Sequence, residues 1–223
     1  MRIIKMLGLA AVAAVAAMAF VGATSASADT ICTNLTIADS GECPAASRLA
    51  LPQTITATSS NATLTAEGFE PVTCTESTVS GEAKTNDGPH TQILGLINSL
   101  SFKKCSGLCT EVNKGGNIEN LPYLVEALAL TLLWHVKKEP TATKNLAATL
   151  EHCTIFNVSC LFESANALLT FDPASGTTPA KLLAINVPLT GTSGFPCPSS
   201  GKWNATYTIT APKGGLVNLT ALP

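Results

Sequence analysis

Positive charge is scarce in this chain of 223 residues: 13 Lys and Arg stand against 15 Asp and Glu, and charged residues make up 13%. Two of the basic residues, Arg2 and Lys5, precede every acid, so from Asp29 onward 11 bases face 15 acids and the net charge is −4. The only arginine in that part is Arg48, and no methionine follows Met18. A nucleic-acid binder needs clustered Lys and Arg to displace counterions from phosphates, and a polybasic membrane-surface protein needs a similar cluster. The first class is excluded, and the composition argues against the second. Aromatics are few, at 5%, and long helix-forming stretches are missing beyond the N-terminal segment. The three histidines, His90, His135 and His152, show no H-E-x-x-H spacing, and no G-x-S-x-G elbow accompanies them.

What is present begins with an export signal. Arg2 and Lys5 form a positive n-region, Met6 to Val21 an apolar run, and Ala26-Ser27-Ala28 offers small residues at −3 and −1. Residues 1–28 read as a signal peptide cleaved before Asp29, and no later run approaches the length of a spanning helix. The expected location is secreted, extracellular, with no membrane span after cleavage.

All eight cysteines follow that signal: Cys32, Cys43, Cys74, Cys105, Cys109, Cys153, Cys160 and Cys197. An even count in an oxidising compartment points to disulfides. Four bridges admit 105 connectivities, and local spacing suggests a set. Cys153 with Cys160 fits a hairpin, Cys105 with Cys109 a turn at Gly107, and Cys32 with Cys43 a turn at Asp39-Ser40-Gly41. Cys74 with Cys197 is left as a long-range staple. A metal site from Cys105, Cys109, Cys153 and His152 is disfavoured, because structural zinc prefers C-x-x-C knuckles in reducing compartments.

Threonine recurs throughout, and Thr, Val and Ile suit strands because a branched Cβ packs on a pleated surface. Thr54–Thr58 and Thr63–Thr65 read as a hairpin about Ser59-Ser60-Asn61. Val72 and Cys74 share a face opposite Thr73 and Thr75. Gln92–Phe102, Lys181–Leu189, Lys202–Ala211 and Leu216–Leu222 are further strands. Leu121–Lys138 is apolar enough for a helix, yet Leu128, Leu130, Leu132, Trp134 and Val136 alternate with Ala129, Thr131, Leu133, His135 and Lys137, which is the period of a strand. The expected fold is all-β: an antiparallel, disulfide-stapled β-sandwich, with barrel-like closure as its variant. Residues 29–51 form an N-terminal extension pinned by a disulfide, and residues 52–223 a single domain.

Cys105-Ser-Gly-Leu-Cys109, then Leu121-Pro122-Tyr123, Cys153 to Cys160, Cys197 and the ending Trp203-Asn-Ala205-Thr-Tyr207 with Pro212 give the second half a recognisable arrangement. It resembles a group of uncharacterised, exported, cysteine-containing bacterial β-proteins. The resemblance implies export, β-structure and disulfides, and it transfers no catalytic residue.

Chemistry is thinly represented. Asp29, Asp39, Asp87 and Asp172 fall in expected loops, and Glu67 with Glu70 around Gly68 is the nearest acidic pair available to a glycosidase. Even pairing of cysteines leaves no thiolate nucleophile. No catalytic, cofactor or metal site is expected. Trp203 and Tyr207 share parity with Ala205 and Ile209 and should point inward, as should Trp134; Tyr123, after Pro122, is the freest aromatic. Opposite Trp203 lie Asn204, Thr206, Thr208 and Thr210, which with Thr54, Thr56 and Thr58 make hydroxyl-lined strand faces. Such faces suit a sugar, ice or a partner protein, and an exposed edge could accept a partner strand. The expected function is an exported, non-enzymatic protein with a binding or structural role, its partner a protein or glycan at the cell surface. The alternative is an extracellular hydrolase that assembles His90, His135 or His152 with an acid and a hydroxyl in space.

Overall fold

The computed structural model describes residues 30–32, 45–66, 68–85, 93–116, 118–128, 132–154, 157–172, 174, 178–210 and 218–220. Residues 1–28, expected to be a signal, Cys43, His90, Glu67 and the aspartates 29, 39 and 87 lie outside the described residues. No α-helix occurs among the described residues. In chain order they form β1 (Thr30–Cys32), a 3-10 turn (Ala45–Ser47), β2 (Gln53–Ser59), β3 (Ala62–Thr65), β4 (Val72–Ala83), β5 (Ile93–Ser106), β6 (Cys109–Val112) and β7 (Tyr123–Leu128). There follow β8 (Leu133–Lys138), β9 (Leu146–Cys153), β10 (Cys160–Ser164), β11 (Asn166–Asp172), β12 (Lys181–Gly191), β13 (Ser200–Thr210) and β14 (Asn218–Thr220).

The all-β, antiparallel, disulfide-stapled fold anticipated from the sequence is the one adopted, and it takes the closed form. Hydrogen bonding runs from β2 through β4, β5, β7, β8, β11, β12 and β13 and returns to β2, an eight-stranded antiparallel barrel without an edge. A shorter sheet branches from the far end of β12: Thr190 and Gly191 pair with β10, β10 with β9, and β9 with β6. The outer pair β1–β14 joins the two ends of the chain, and Leu49 N–H donates to the Ile31 carbonyl at 2.9 Å. Ile31 and Leu49 are both buried in the main core.

The expected hairpin between β2 and β3 is corrected. Against β4 the two share one register, Ser59 opposite Ser77 and Ala62 opposite Cys74, so they lie in line as one strand. Against β13 the register steps by one, from Thr58 opposite Thr208 to Thr63 opposite Asn204. A kink at Ser60-Asn61 absorbs the extra residue. Asn61 N–H donates to Ser59 Oγ at 3.2 Å and Thr63 Oγ1 donates to Asn61 Oδ1 at 3.1 Å, local bonds that replace the interrupted ladder. The strand reading of Leu121–Lys138 holds in character but resolves into two strands: β7 and β8 pair as a hairpin, with Leu132 at φ 52° beside the turn.

The barrel interior follows from period-two alternation. Ala57 on β2, Tyr123, Val125 and Ala127 on β7, Trp134 and Val136 on β8, Ala167, Leu169 and Phe171 on β11, Leu182 and Ala184 on β12, and Ala205, Tyr207 and Ile209 on β13 are all buried. Their sequence neighbours, such as Leu168, Thr170 and Thr206, face outward and are exposed.

Three bridges replace three expected pairings. Cys74 joins Cys105, Cys109 joins Cys153, and Cys160 joins Cys197. Cys32 is also disulfide-bonded; the expected Cys32–Cys43 bridge lies outside the described residues. The Cys105–Cys109, Cys153–Cys160 and Cys74–Cys197 pairings fail for one reason. Cys74 stands directly opposite Cys105 across β4 and β5, and Cys109 directly opposite Cys153 across β6 and β9. Only a directly opposed neighbour brings two Cβ atoms within bridging reach in a sheet.

Candidate functional site: a hydroxyl groove on the wall of an apolar barrel

The outward faces of β2, β4 and β13 carry hydroxyl residues at alternate positions, and ladder register aligns them. Ser101, Thr78, Thr58, Thr208 and Lys181 stand side by side across β5, β4, β2, β13 and β12. The kink at Ser60-Asn61 opens the wall next to this row and produces a groove of about 520 Å³. Among the described residues nine Ser and Thr side chains line it, with Asn61, Glu76, Lys103 and Lys181, and no apolar residue does. Thr58, Thr206 and Thr208, singled out in the sequence, are thus brought together. Among the described side chains Thr54, Thr56 and Asn204 do not line the groove, and Asn204 is occupied in accepting the Asn186 N–H at 2.8 Å; the Thr210 side chain lies outside those described. Lys103, Lys181, Glu76 and Ser101 escaped sequence reasoning. Their places on β4 (Glu76), β5 (Ser101, Lys103) and β12 (Lys181) did not disclose which strands would be neighbours.

Behind the groove the wall is thin. Ser77, buried, lies at its floor and donates to the Ser101 carbonyl at 3.0 Å, while its Oγ is 2.7 Å from the Tyr207 hydroxyl inside the barrel. Burial raises the Tyr207 pKa well above its ordinary 10.0, and the Ser77 hydrogen bond offsets part of that rise.

The interior beyond is incompletely filled. Ala57, Gly81, Ala83, Gly95, Ala127 and Ala167 are small residues on its lining, and an eight-stranded barrel is just wide enough for ordinary side chains to meet. A cavity of about 120 Å³ remains, adjoined by a second of about 90 Å³. Leu100, Tyr123, Leu146, Ala167 and Trp203 line both, and Ile31 of the outer pair lines the first.

Trp134 and Tyr207 are buried and Trp203 packs against the core, as their parity predicts. Tyr123, expected to be the freest aromatic, is instead 2% exposed. Its hydroxyl donates to the Glu119 carbonyl at 2.6 Å and accepts from Ala147 N–H at 3.2 Å. Its pKa is raised, chiefly by burial; the Ala147 bond lowers it and the Glu119 charge raises it further.

The remaining candidates are dispersed. His135 is on the outer barrel face, opposite Glu126 in the β7–β8 ladder, and Glu126 pairs with Lys137 at 2.5 Å. Asp172 stands opposite Lys181, and Glu70 is exposed. His152 Nε2 lies 3.2 Å from Glu111 Oε2, and Glu151 faces Glu111 across β6 and β9. These three offer ligand atoms within 4.8 Å of one another. Glu111 also accepts the Gly115 N–H at 2.7 Å; among the described residues no Ser or Thr hydroxyl bonds to this group, so a His/acid/hydroxyl triad is not assembled there. No protein family, curated protein or solved structure matches the chain.

Proposed function

We propose that this is an exported, non-enzymatic binding protein whose ligand is a glycan of the cell surface, held in the hydroxyl groove. The groove itself carries the reading: a concavity of about 520 Å³ whose lining, among the described residues, is polar throughout. Hydroxyls, an amide, two ammonium groups and a carboxylate provide both donors and acceptors, the complement a polyhydroxylated ligand requires. Ladder register presets the backbone positions of the strand residues among them, so the groups are spaced before a ligand arrives. Several disulfides and the expected signal over residues 1–28 support an oxidising, extracellular setting, as does the resemblance to exported β-proteins. No helix among the described residues is long and apolar enough to cross a membrane.

Affinity electrophoresis through gels containing neutral polysaccharides, with isolated cell envelope as a sedimentation partner, tests the reading. The oxidised protein should be retarded or co-sediment, and Thr58→Val with Thr208→Val should abolish this while leaving the fold intact. Equal retention of that variant, or no retention on any glycan, refutes glycan binding in the groove.

A further inference from the structure

The charge of the groove is unbalanced, and in the opposite sense to the chain. Among the described residues three ionisable side chains line it: Lys103, Lys181 and Glu76. Glu76 stands opposite Lys103 in the β4–β5 ladder, yet its carboxylate pairs with the next residue, Lys104. Lys104 has φ 53°, which breaks the alternation of β5, and Lys103 and Lys104 are both exposed. Lys104 thus neutralises the one carboxylate on the lining and leaves the Lys103 ammonium without a counter-charge. Lys181 faces Thr208 on β13 and Asp172 on β11, and it forms no ion pair with Asp172, which does not line the groove. Among the described residues neither Lys103 nor Lys181 has an ion-pair partner. Two unpaired ammonium groups therefore share one concavity, on a chain that is net −4 from Asp29 onward. A cleft lined by one sign of charge concentrates the opposite sign, whatever the charge of the whole molecule.

From this juxtaposition we propose that the ligand of the groove is an acidic glycan, its sugars bearing carboxylate or sulfate groups that Lys103 and Lys181 take. The proposal rests on the glycan reading above and adds the ligand's charge to it. The two lysines flank the hydroxyl row: Lys103 is on β5 and Lys181 on β12, with β4, β2 and β13 between them. Four ladder spacings of about 4.8 Å put these strands about 19 Å apart along the wall. An extended chain lying across the row therefore meets a cation at each side and hydroxyls between. Lysine presents a compact charge rather than a planar fork, so carboxylate and sulfate are both served and charge is the property read.

Polygalacturonate and its methyl ester share a backbone and differ in charge, as do dextran sulfate and dextran. Affinity electrophoresis of the oxidised full-length protein through each, at an ionic strength of about 0.01 M where screening is weak, compares them. In at least one pair the acidic member should bind about tenfold more tightly than its neutral partner, a few-fold from each exposed ion contact. Which pair responds distinguishes carboxylate from sulfate. Lys103→Gln with Lys181→Gln should abolish the preference, as should about 0.5 M salt. Lys114→Gln with Lys144→Gln removes the same charge from exposed positions off the groove and should preserve it. Equal binding within both pairs, no binding to any of the four, or a preference that survives Lys103→Gln with Lys181→Gln overturns the proposal. The glycan reading is decided separately, by whether Thr58→Val with Thr208→Val abolishes retention on neutral polysaccharide and cell envelope. If acidic polymers remain preferred in that threonine variant, the groove holds an anion without reading the sugar, and both fall.

Discussion

Replacing Ser77 by alanine should destabilise the barrel more than removing its partner hydroxyl with Tyr207→Phe, although both break the same 2.7 Å contact. In Ser77→Ala the Tyr207 hydroxyl stays behind at a site 3% exposed, and the Ser101 carbonyl loses a donor at 3.0 Å. A buried polar group left unpaired costs about 1–3 kcal/mol. In Tyr207→Phe, Ser77 keeps its bond to Ser101, so the loss is that of one net hydrogen bond, about 1 kcal/mol. The double variant removes both polar partners and should cost less than the sum of the singles, with a coupling of about 1 kcal/mol. Urea unfolding at pH 7 with disulfides oxidised measures all four corners of this cycle. At this chain length 1 kcal/mol corresponds to about 2–4 °C in Tm. Additivity within about 0.5 kcal/mol, or a larger loss in Tyr207→Phe than in Ser77→Ala, would refute the assignment of the pair as a closed hydrogen-bond relay.

The pH dependence tests the same region from another side. The two tyrosines of the chain, Tyr123 and Tyr207, both have pKa values raised by burial, so near and above pH 10 the unfolded chain releases protons that the folded chain retains. Their contribution is therefore fully present below pH 10 and lost as pH rises further; phenolate absorbance should appear together with unfolding, and separate titration near pH 10 would count against it. Peptide mapping without reduction should recover Cys74–Cys105, Cys109–Cys153 and Cys160–Cys197, and Cys109→Ala with Cys153→Ala should lower stability by about 2–5 kcal/mol in denaturant titrations. Phe162→Ala, at a side chain 1% exposed, should cost about 3–5 kcal/mol by the same measure. Gly107→Ala should reduce the yield of oxidised protein and its Tm, since φ is +104° there and an added Cβ would sit 1.9 Å from the Pro71 carbonyl oxygen.

Alternation and β-branched content made the strands around Val72, Gln92, Lys181 and Lys202 legible, because a residue's inward or outward direction is a local property of a pleated chain. The same parity correctly sent Trp134 and Tyr207 inward and His135 outward. Tyr123 misled because Pro122 before it suggests a loop, whereas β7 begins at Tyr123 and its hydroxyl bonds to the Glu119 carbonyl before β7 and to the Ala147 N–H within β9. The groove was half visible: Thr58, Thr206 and Thr208 were read as an outward hydroxyl face, but Lys103 and Lys181 joined it only through the neighbours their strands acquired.

The sequence by itself determined the fold class, the seven described cysteines as bridge-formers, and the face on which most side chains stand, since each rests on composition or on a period of two along the chain. Tertiary structure alone decided strand order, barrel closure and cysteine pairing. Two segments far apart in sequence become neighbours only when a closed circuit of antiparallel ladders puts them side by side, as it does for Cys109 with Cys153 and for Thr58 with Thr208. The interior space is of the same kind: six alanines and glycines are ordinary one by one, and leave a cavity only where eight strands turn them toward a common axis.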